Sequence, residues 1–155
     1  MFITFMKSQV KILDGTPTMS LPFPSDSIAW PLFAPQHDTG IYVIGLFESG
    51  TDANGAHAHA VSAWTTPKEV VDVVSKAAGR EVHFNPISLE AYQSAFPDET
   101  LGKELTETMR LVGEYSYYGK GEEKKQGEYD RWLLPGAEKI GLEQWVKENG
   151  PWQWE

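Results

Sequence analysis

The sequence predicts a mixed α/β fold with few strands, on three observations. Short runs rich in β-forming residues and proline occupy the first third, a strand–helix–strand stretch follows, and the remainder is mostly helical in its periodicity. A chain of 155 residues with 41% hydrophobic and 23% charged residues suits a single domain over residues 1–155. We therefore expect a β-hairpin, one strand–helix–strand unit and a helical C-terminal half, with too few strands for a complete doubly wound sheet.

The hairpin is the first predicted element. Residues 18–24 and 28–33 have the composition of strands, and residues 25–27 (Ser-Asp-Ser) have that of a turn between them. The prolines in both runs predict that the two strands lie at a sheet edge, because proline cannot donate a ladder hydrogen bond.

A strand–helix–strand unit is predicted next. Asp38 is expected to cap a short apolar helix over residues 39–47. Strands are predicted over residues 57–65 and 81–86, with a helix between them. These two strands are expected to form a right-handed parallel crossover.

The helix of that unit has the clearest boundaries in the chain. Thr66 followed by Glu69 three residues later is a capping box, and Pro67 suits the first helical position. Valines at helical spacing predict one buried face, and Gly79 is expected to end the helix in the left-handed conformation.

Three more helices are predicted, over residues 89–96, about 99–118 and 141–149. Ser88 is expected to cap the first, and Asp98 to begin the longest. The longest helix is expected to bury a stripe formed by Leu101, Leu105, Met109 and Val112, widened by Leu111, Tyr115 and Tyr118. Residues 120–127 are predicted as a charged surface loop.

Charge and composition exclude several classes of function. A net charge of −9 repels a phosphate backbone, so no nucleic-acid partner is expected. The chain has no cysteine, which excludes disulfides and thiolate sites and fits a cytoplasmic protein. No apolar run approaches the ~18 residues of a transmembrane helix, so no membrane partner is expected either.

Three stretches carry a resemblance to a known family. They are residues 21–24 (Leu-Pro-Phe-Pro) with residues 37–43 (His-Asp-Thr-Gly-Ile-Tyr-Val), residues 64–82 (beginning Trp-Thr-Thr-Pro-Lys-Glu), and residues 142–152 (Leu-Glu-Gln-Trp-Val-Lys-Glu-Asn-Gly-Pro-Trp). Their order and spacing resemble the C-terminal region of the NmrA-like family, the atypical branch of the short-chain dehydrogenases. The fungal members are the most similar.

The resemblance implies a partial fold. In that family these elements form the smaller, substrate-side portion, which packs on an N-terminal Rossmann half that holds NAD(P). It therefore implies no complete Rossmann sheet in this chain and no cofactor bound by the chain itself. Gly119 and Gly121 do not replace the missing glycine-rich turn, because they follow a helix and Lys124 stands where a third glycine is needed. No tyrosine has a lysine four residues later, so the catalytic pair of ordinary short-chain dehydrogenases is absent as well.

His57 and His59 form the most suggestive local pattern. If residue 57 begins a strand, both imidazoles project from one face and could share a metal with His37, His83 or a carboxylate. The alternative, a solvated strand start beside a glycine-rich loop, is favoured, and no metal is predicted.

His37, His83 and Tyr117 are the candidate acid–base residues. His37 is a possible general base with Asp38 as its orienting carboxylate. Against this, Asp38 is already assigned as a helix cap, and adjacent residues seldom hydrogen-bond in the required geometry. The simpler interpretation of His83 is an exposed strand residue.

Aromatic side chains are the candidate ligand contacts. Tyr115, Tyr118, Trp132 and Trp64 are expected to line a substrate pocket, joined by Tyr117, which falls off the apolar stripe. Core packing is the alternative for Tyr115 and Tyr118.

Three functions fit these features. The first is a small-molecule-binding protein that works without a nicotinamide cofactor, as an isomerase, cyclase or lyase using histidine or tyrosine acid–base groups. The second is a truncated remnant of an NAD(P)-dependent reductase, and the third is a regulatory or interaction module. Since a missing Rossmann half would expose an apolar face, we expect self-association as a two-fold homodimer.

Overall fold

The computed structural model describes residues 3–154, which form five strands, seven α-helices and three short 3₁₀ helices. The strands are β1 (Val10–Leu13), β2 (Thr16–Leu21), β3 (Trp30–Leu32), β4 (Ala63–Thr65) and β5 (His83–Pro86). The helices are α1 (Met6–Gln9), α2 (Pro35–Glu48), α3 (Pro67–Ala78), α4 (Leu89–Ser94), α5 (Glu99–Tyr115), α6 (Gln126–Asp130) and α7 (Leu142–Glu148). This is the predicted mixed α/β fold, with two small open sheets and no complete Rossmann sheet among the described residues.

The hairpin is present, but it is not the predicted one. β1 and β2 pair antiparallel across Asp14 and Gly15, whose φ angles of 47° and 80° match a two-residue turn of type I′. β2 lies in the centre of the order β1-β2-β5 and pairs parallel with β5, so the expected edge position is wrong for this strand. The predicted pairing of residues 18–24 with 28–33 is also wrong, because residues 25–27 connect two different sheets.

The second sheet consists of β3 and β4, paired antiparallel with Trp30 opposite Thr65. Only the last three residues of the strand predicted over 57–65 are extended in a sheet. The predicted parallel crossover between β4 and β5 is wrong, because these strands belong to different sheets. The parallel partner of β5 is instead β2, which lies far earlier in the chain.

The capping box of α3 is confirmed. The Thr66 hydroxyl accepts the Glu69 N–H at 3.2 Å, and the Glu69 carboxylate accepts the Thr66 N–H at 2.8 Å. Pro67 is the first helical residue, and Gly79 ends the helix with φ of 66°. Asp38, in contrast, does not cap α2: this helix begins at Pro35, and the Asp38 side chain is buried inside its first turn.

The longest helix ends earlier and is rotated from its predicted orientation. Ser88 and Asp98 cap α4 and α5 as predicted. The residues of α5 that are buried are Gly102, Thr106, Met109 and Val112, while Leu101, Leu111 and Tyr115 are exposed. The physical reason is the close approach of α4, since the space beside Gly102 is occupied by the backbone carbonyl of Gln93. Residues 120–127, predicted as a loop, contain a 3₁₀ turn (Glu122–Lys125) and the start of α6.

The hydrophobic core lies between the two sheets and helices α3, α5 and α7. Its largest fully buried side chains include Trp30, Phe23, Met19, Leu21, Val70, Val74 and Met109. The rings of Phe23 and Trp30 meet edge to face, with centroids 5.9 Å apart. Over residues 3–154, no helix combines the length and the apolar character needed to cross a membrane.

Candidate functional site

The three predicted acid–base residues lie in different surroundings. His37 is in the first turn of α2, His83 is at the start of β5, and Tyr117 follows α5. His83 is half exposed, and its side chain contacts the exposed carboxylate of Glu81, at 3.1 Å. No hydrogen bond, ion pair or ring contact joins any two of the three, so the structure does not assemble them into one site.

His37 and Asp38 form a hydrogen-bonded pair. The Nδ1–H of His37 donates to Oδ1 of Asp38 at 2.8 Å, although the two residues are adjacent in the chain. The same oxygen accepts the backbone N–H of Ile140 at 3.1 Å, and the Asp38 side chain is 0% exposed. A carboxylate can only accept, so it selects the tautomer of neutral His37 that carries its proton on Nδ1. Nε2 of His37 then has a free lone pair, which is the arrangement required of a general base.

A hollow of about 280 Å³ lies beside this pair. The polar residues that line it are Thr4, Gln36, His37, Glu148 and Asn149. Oδ2 of Asp38 is buried and has no hydrogen-bond partner among the described residues. The hollow is at the lower end of the size of ligand sites, so it suits a small substrate only. The pair can hold and return one proton at Nε2 of His37.

A second feature is an aromatic cluster formed by His59, Trp64, Tyr117, Tyr118 and Tyr129. The His59 ring is stacked between Tyr118, at 4.0 Å and 9°, and Tyr129, at 3.9 Å and 24°. Trp64 and Tyr117 contact Tyr118 edge to face, at 6.3 Å and 4.9 Å. Three predicted ligand contacts therefore meet, but their rings pack on each other and on His59.

Burial controls the ionisation of the His59 imidazole in this cluster. Removal from water lowers the pKa of His59, and the nearby carboxylate of Glu122 opposes this shift. Nδ1 of His59 lies 3.8 Å from Glu122, too far for a hydrogen bond, and has no other partner in the described part of the chain. Glu122 instead accepts hydrogen bonds from Lys125 and Tyr129, both at 2.6 Å, which lower its pKa. The cluster thus favours a neutral imidazole.

The other predicted contact residues lie outside the aromatic cluster. Tyr115 is 60% exposed, and Trp132 stacks under the guanidinium of Arg131 at 4.8 Å. His57 is exposed in an irregular segment, so its assumed strand geometry with His59 is wrong. Among residues 3–154, no three metal-binding side chains group together.

Sequence reasoning missed a polar network next to the aromatic cluster. Asp130 accepts hydrogen bonds from Tyr42 at 2.6 Å, Lys139 at 2.7 Å and Gln126 at 2.8 Å. Gln126 also accepts the indole N–H of Trp64 at 2.9 Å, which connects the network to the cluster. Burial and the Asp130 carboxylate raise the pKa of Tyr42 well above its ordinary range. Burial alone would raise the pKa of Asp130, but its three hydrogen bonds outweigh that effect and lower it.

This network ties distant parts of the chain together. Tyr42 is in α2 and Asp130 in α6, 88 residues later. The three donors to Asp130 all belong to the chain itself, so the hydrogen bonds hold α2 and α6 together. Gln126, Asp130 and Lys139 lie in one short segment, but no local motif predicts the network, because Tyr42 and Trp64 are 88 and 62 residues from their partners.

Comparison with known proteins identifies the chain. Residues 1–147 match the model of the NmrA-like family. The chain belongs to the NmrA-like family. No curated protein sequence matches it.

Solved structures of NmrA share the fold of this NmrA-like chain. The monoclinic crystal structure of NmrA, described as a negative transcriptional regulator, superposes with a TM-score of 0.62 at 20% identity. NmrA in complex with NAD gives 0.63 at 18% identity, and NmrA in complex with NADP gives 0.60 at 18%. Each match covers 89% of this chain and 44% of the other. The NmrA-like chain therefore spans less than half the length of these relatives.

One surface of the NmrA-like chain is conspicuously apolar. Helix α2 buries Tyr42 and Gly45 on its inner side. Its outer side exposes Val43 (44%), Ile44 (47%) and Phe47 (81%), which are spaced as one helical face. We call these three residues the outer face of α2.

Proposed function

We propose that this chain is the substrate-side half of an NmrA-like protein, and that a nucleotide-binding half docks on the outer face of α2. The observation that carries the proposal is the exposure of Phe47, at 81%, next to Val43 and Ile44. Burying one such side chain stabilises an interface by about 1.5–3 kcal/mol, so three neighbouring ones provide the centre of a docking surface.

The nucleotide comes from the docked half in this proposal. Solved relatives carry NAD or NADP, whereas this chain spans 44% of their length. A dinucleotide cradle needs glycines in a turn that leads from a strand into a helix. In the described residues, the connections β3–α2 (residues 33–34), β4–α3 (residue 66) and β5–α4 (residues 87–88) contain no glycine.

The first test uses the chain as it is. Isothermal titration calorimetry with NAD or NADP is expected to show no saturable binding to the chain. Sedimentation velocity is expected to show a two-fold homodimer, because a second copy covers the outer face of α2 when the nucleotide-binding half is absent. Phe47→Asp is expected to abolish the dimer. Leu111→Asp, at a position on α5 that is 48% exposed, is the matched control and is expected to leave the dimer intact.

Two results would contradict this proposal. One is binding of NAD by the chain alone at micromolar concentration. The other is a chain that stays monomeric at concentrations of hundreds of micromolar. The outer face of α2 would then show no tendency to associate, which contradicts its role as a docking surface.

The His37–Asp38 pair supports a second function, acid–base catalysis without a nicotinamide cofactor. A buried carboxylate that orients a half-exposed imidazole beside a hollow is suited to a proton transfer, as in an isomerase, cyclase or lyase. His37 would remove and return the proton. Asp38 would hold the ring in position, and does not itself touch a substrate.

The tautomer of His37 tests this function without knowledge of the substrate. Long-range ¹⁵N–¹H correlation NMR distinguishes a proton on Nδ1 from one on Nε2. We expect Nδ1–H in the wild-type chain at neutral pH, and a mixed population in Asp38→Asn. A wild-type His37 with its proton on Nε2 would rule out a general base facing the hollow.

A further inference from the structure

We infer that the groove between α3 and α7 is a binding site for an apolar anion, namely a carboxylate or sulfonate on a ring-sized hydrocarbon body. This site is separate from the outer face of α2 and from the His37–Asp38 pair. The inference does not depend on either proposed function.

The floor of the groove is apolar and preformed. A hollow of about 320 Å³ lies over Val73, Val146 and Trp152. Val146 is 1% and Trp152 4% exposed, so both are held in place by the core. The indole N–H of Trp152 donates to the backbone carbonyl of Val146 at 2.7 Å, and its ring meets Trp145 at 6.1 Å. The polar atom of the indole is thereby satisfied, and the apolar surface open to a ligand comes mainly from Val73, Ala77 and Pro151, which are not buried.

The rim carries two lysines that have no carboxylate partner within residues 3–154. Lys76 projects from α3 and Lys147 from α7, and both line the hollow. Neither forms an ion pair within residues 3–154, whereas Lys68, Lys125 and Lys139 each pair with a carboxylate at 2.6–2.7 Å. In a chain with a net charge of −9, two free ammonium groups over an apolar floor favour an anion.

The same surface limits the charge of the ligand. Glu143 also lines the hollow, one helical turn before Lys147, and its carboxylate repels further negative charge. The overall negative charge acts in the same direction. A single carboxylate or sulfonate fits these conditions, whereas a polyphosphate does not. A rigid ring-sized body fits the preformed hollow better than a flexible chain, because a flexible chain loses more entropy on binding.

The probe for the test is 1-naphthylacetate, with the neutral 1-naphthylacetamide as its matched control. Titration of the ¹⁵N-labelled full chain is followed by NMR. We expect saturable binding of the acid, with the largest shifts at Val73, Val146 and the indole of Trp152. The amide is expected to bind about tenfold more weakly, since it lacks the charge.

Substitutions locate the site. The double variant Lys76→Gln/Lys147→Gln is expected to weaken binding of the acid about tenfold and to leave binding of the amide unchanged. Lys103→Gln/Lys120→Gln removes the same charge at two exposed lysines outside the hollow, and is expected to change the affinity less than twofold. Glu143→Gln is expected to strengthen binding of the acid. These positions are exposed, so the variants keep the fold.

Three outcomes would overturn the inference. They are equal affinity for the acid and the amide, equal effects of the two double lysine variants, and shifts centred on Val43, Ile44 and Phe47 instead of the groove. Absence of saturable binding at millimolar probe would overturn it as well.

Discussion

Gly45 in α2 faces the backbone carbonyl of Trp132 so closely that no side chain fits between them. A β-carbon at Gly45 would also lie 2.6 Å from the carbonyl carbon of Leu133. This contact joins α2 to the turn after α6, where the N–H of Leu134 donates to the carbonyl of Ile41 at 2.8 Å. Gly45 therefore allows α2 to pack directly against this turn, and this contact positions His37 and the outer face of α2.

Gly45→Ala is expected to lower the free energy of unfolding by about 3 kcal/mol, because backbone atoms on the facing turn cannot yield as a side chain would. Gly40→Ala in the same helix is the matched control. No atom lies within 4 Å of a β-carbon there, so alanine is expected to stabilise the chain by up to about 1 kcal/mol. Urea unfolding measures both, and similar values for the two variants would contradict the close contact.

Lys139→Met is expected to destabilise the chain by about 2 kcal/mol, since it leaves the half-buried Asp130 without its ammonium partner. Lys139 donates to Asp130 at 2.7 Å and to the carbonyl of Val61 at 2.8 Å. Lys68 pairs with Asp72 at the same 2.7 Å, but both side chains are about 60% exposed. Lys68→Met is therefore expected to cost no more than about 0.5 kcal/mol. Thermal and urea unfolding compare the two, and equal losses would count against a structural role of the network.

The stacked His59 predicts a pH dependence of stability. Burial lowers the pKa of His59 from its ordinary value of 6.5, so the folded chain binds this proton less readily than the unfolded chain. The contribution of His59 is complete above pH 6.5 and is lost as the pH falls through the lower pKa of the folded state.

His59→Phe keeps an aromatic ring between Tyr118 and Tyr129 but does not titrate. We expect its free energy of unfolding to fall less steeply than that of the wild type between about pH 7.5 and about pH 5.5. His57→Gln, at an exposed position two residues earlier, controls for removal of an imidazole. A wild-type slope that His59→Phe leaves unchanged would refute the assignment.

Thr106→Val is expected to stabilise the chain by about 1 kcal/mol. The Thr106 hydroxyl is buried in α5 without a hydrogen-bond partner in the described residues, so valine removes an unsatisfied group at nearly constant volume. Thr108 on the same helix donates to the carbonyl of Glu104 at 3.0 Å near the surface. Thr108→Val is expected to stay within about 0.5 kcal/mol of the wild type. A loss of stability in Thr106→Val would show that its hydroxyl has a partner after all.

Local signals in the sequence predicted local structure well. The capping box of Thr66 and Glu69 and the caps at Ser88 and Asp98 form as expected, because their hydrogen bonds span only three residues. Asp14-Gly15 is a local signal of the same kind and would have located the hairpin correctly. The Ser-Asp-Ser run at residues 25–27, on which the predicted hairpin rested, lies instead in the connection between two separate sheets.

The sites depended on contacts that no local pattern contains. Asp38 has the residue type of a helix cap, but it lies inside the first turn of α2, and its carboxylate accepts the N–H of Ile140, 102 residues later. The spacing of His57 and His59 indicates only a possible shared metal, whereas the His59 ring stacks on Tyr118 and Tyr129, 59 and 70 residues later. The sequence predicted that aromatic residues meet in this cluster. It did not predict that their rings stack on His59 and on each other instead of lining an open pocket.

The sequence by itself determined the mixed α/β class, the family and the ends of several helices, since these follow from residue type and from spacing over a few positions. Only the tertiary structure decided the strand partners, the rotation of α5, the pairing of His37 with the buried Asp38 and the apolar groove under Lys76 and Lys147. The physical reason is that each of these depends on which distant segments share the core. Packing and burial determine which segments meet in the core for the whole chain together, so no short stretch of sequence specifies these contacts.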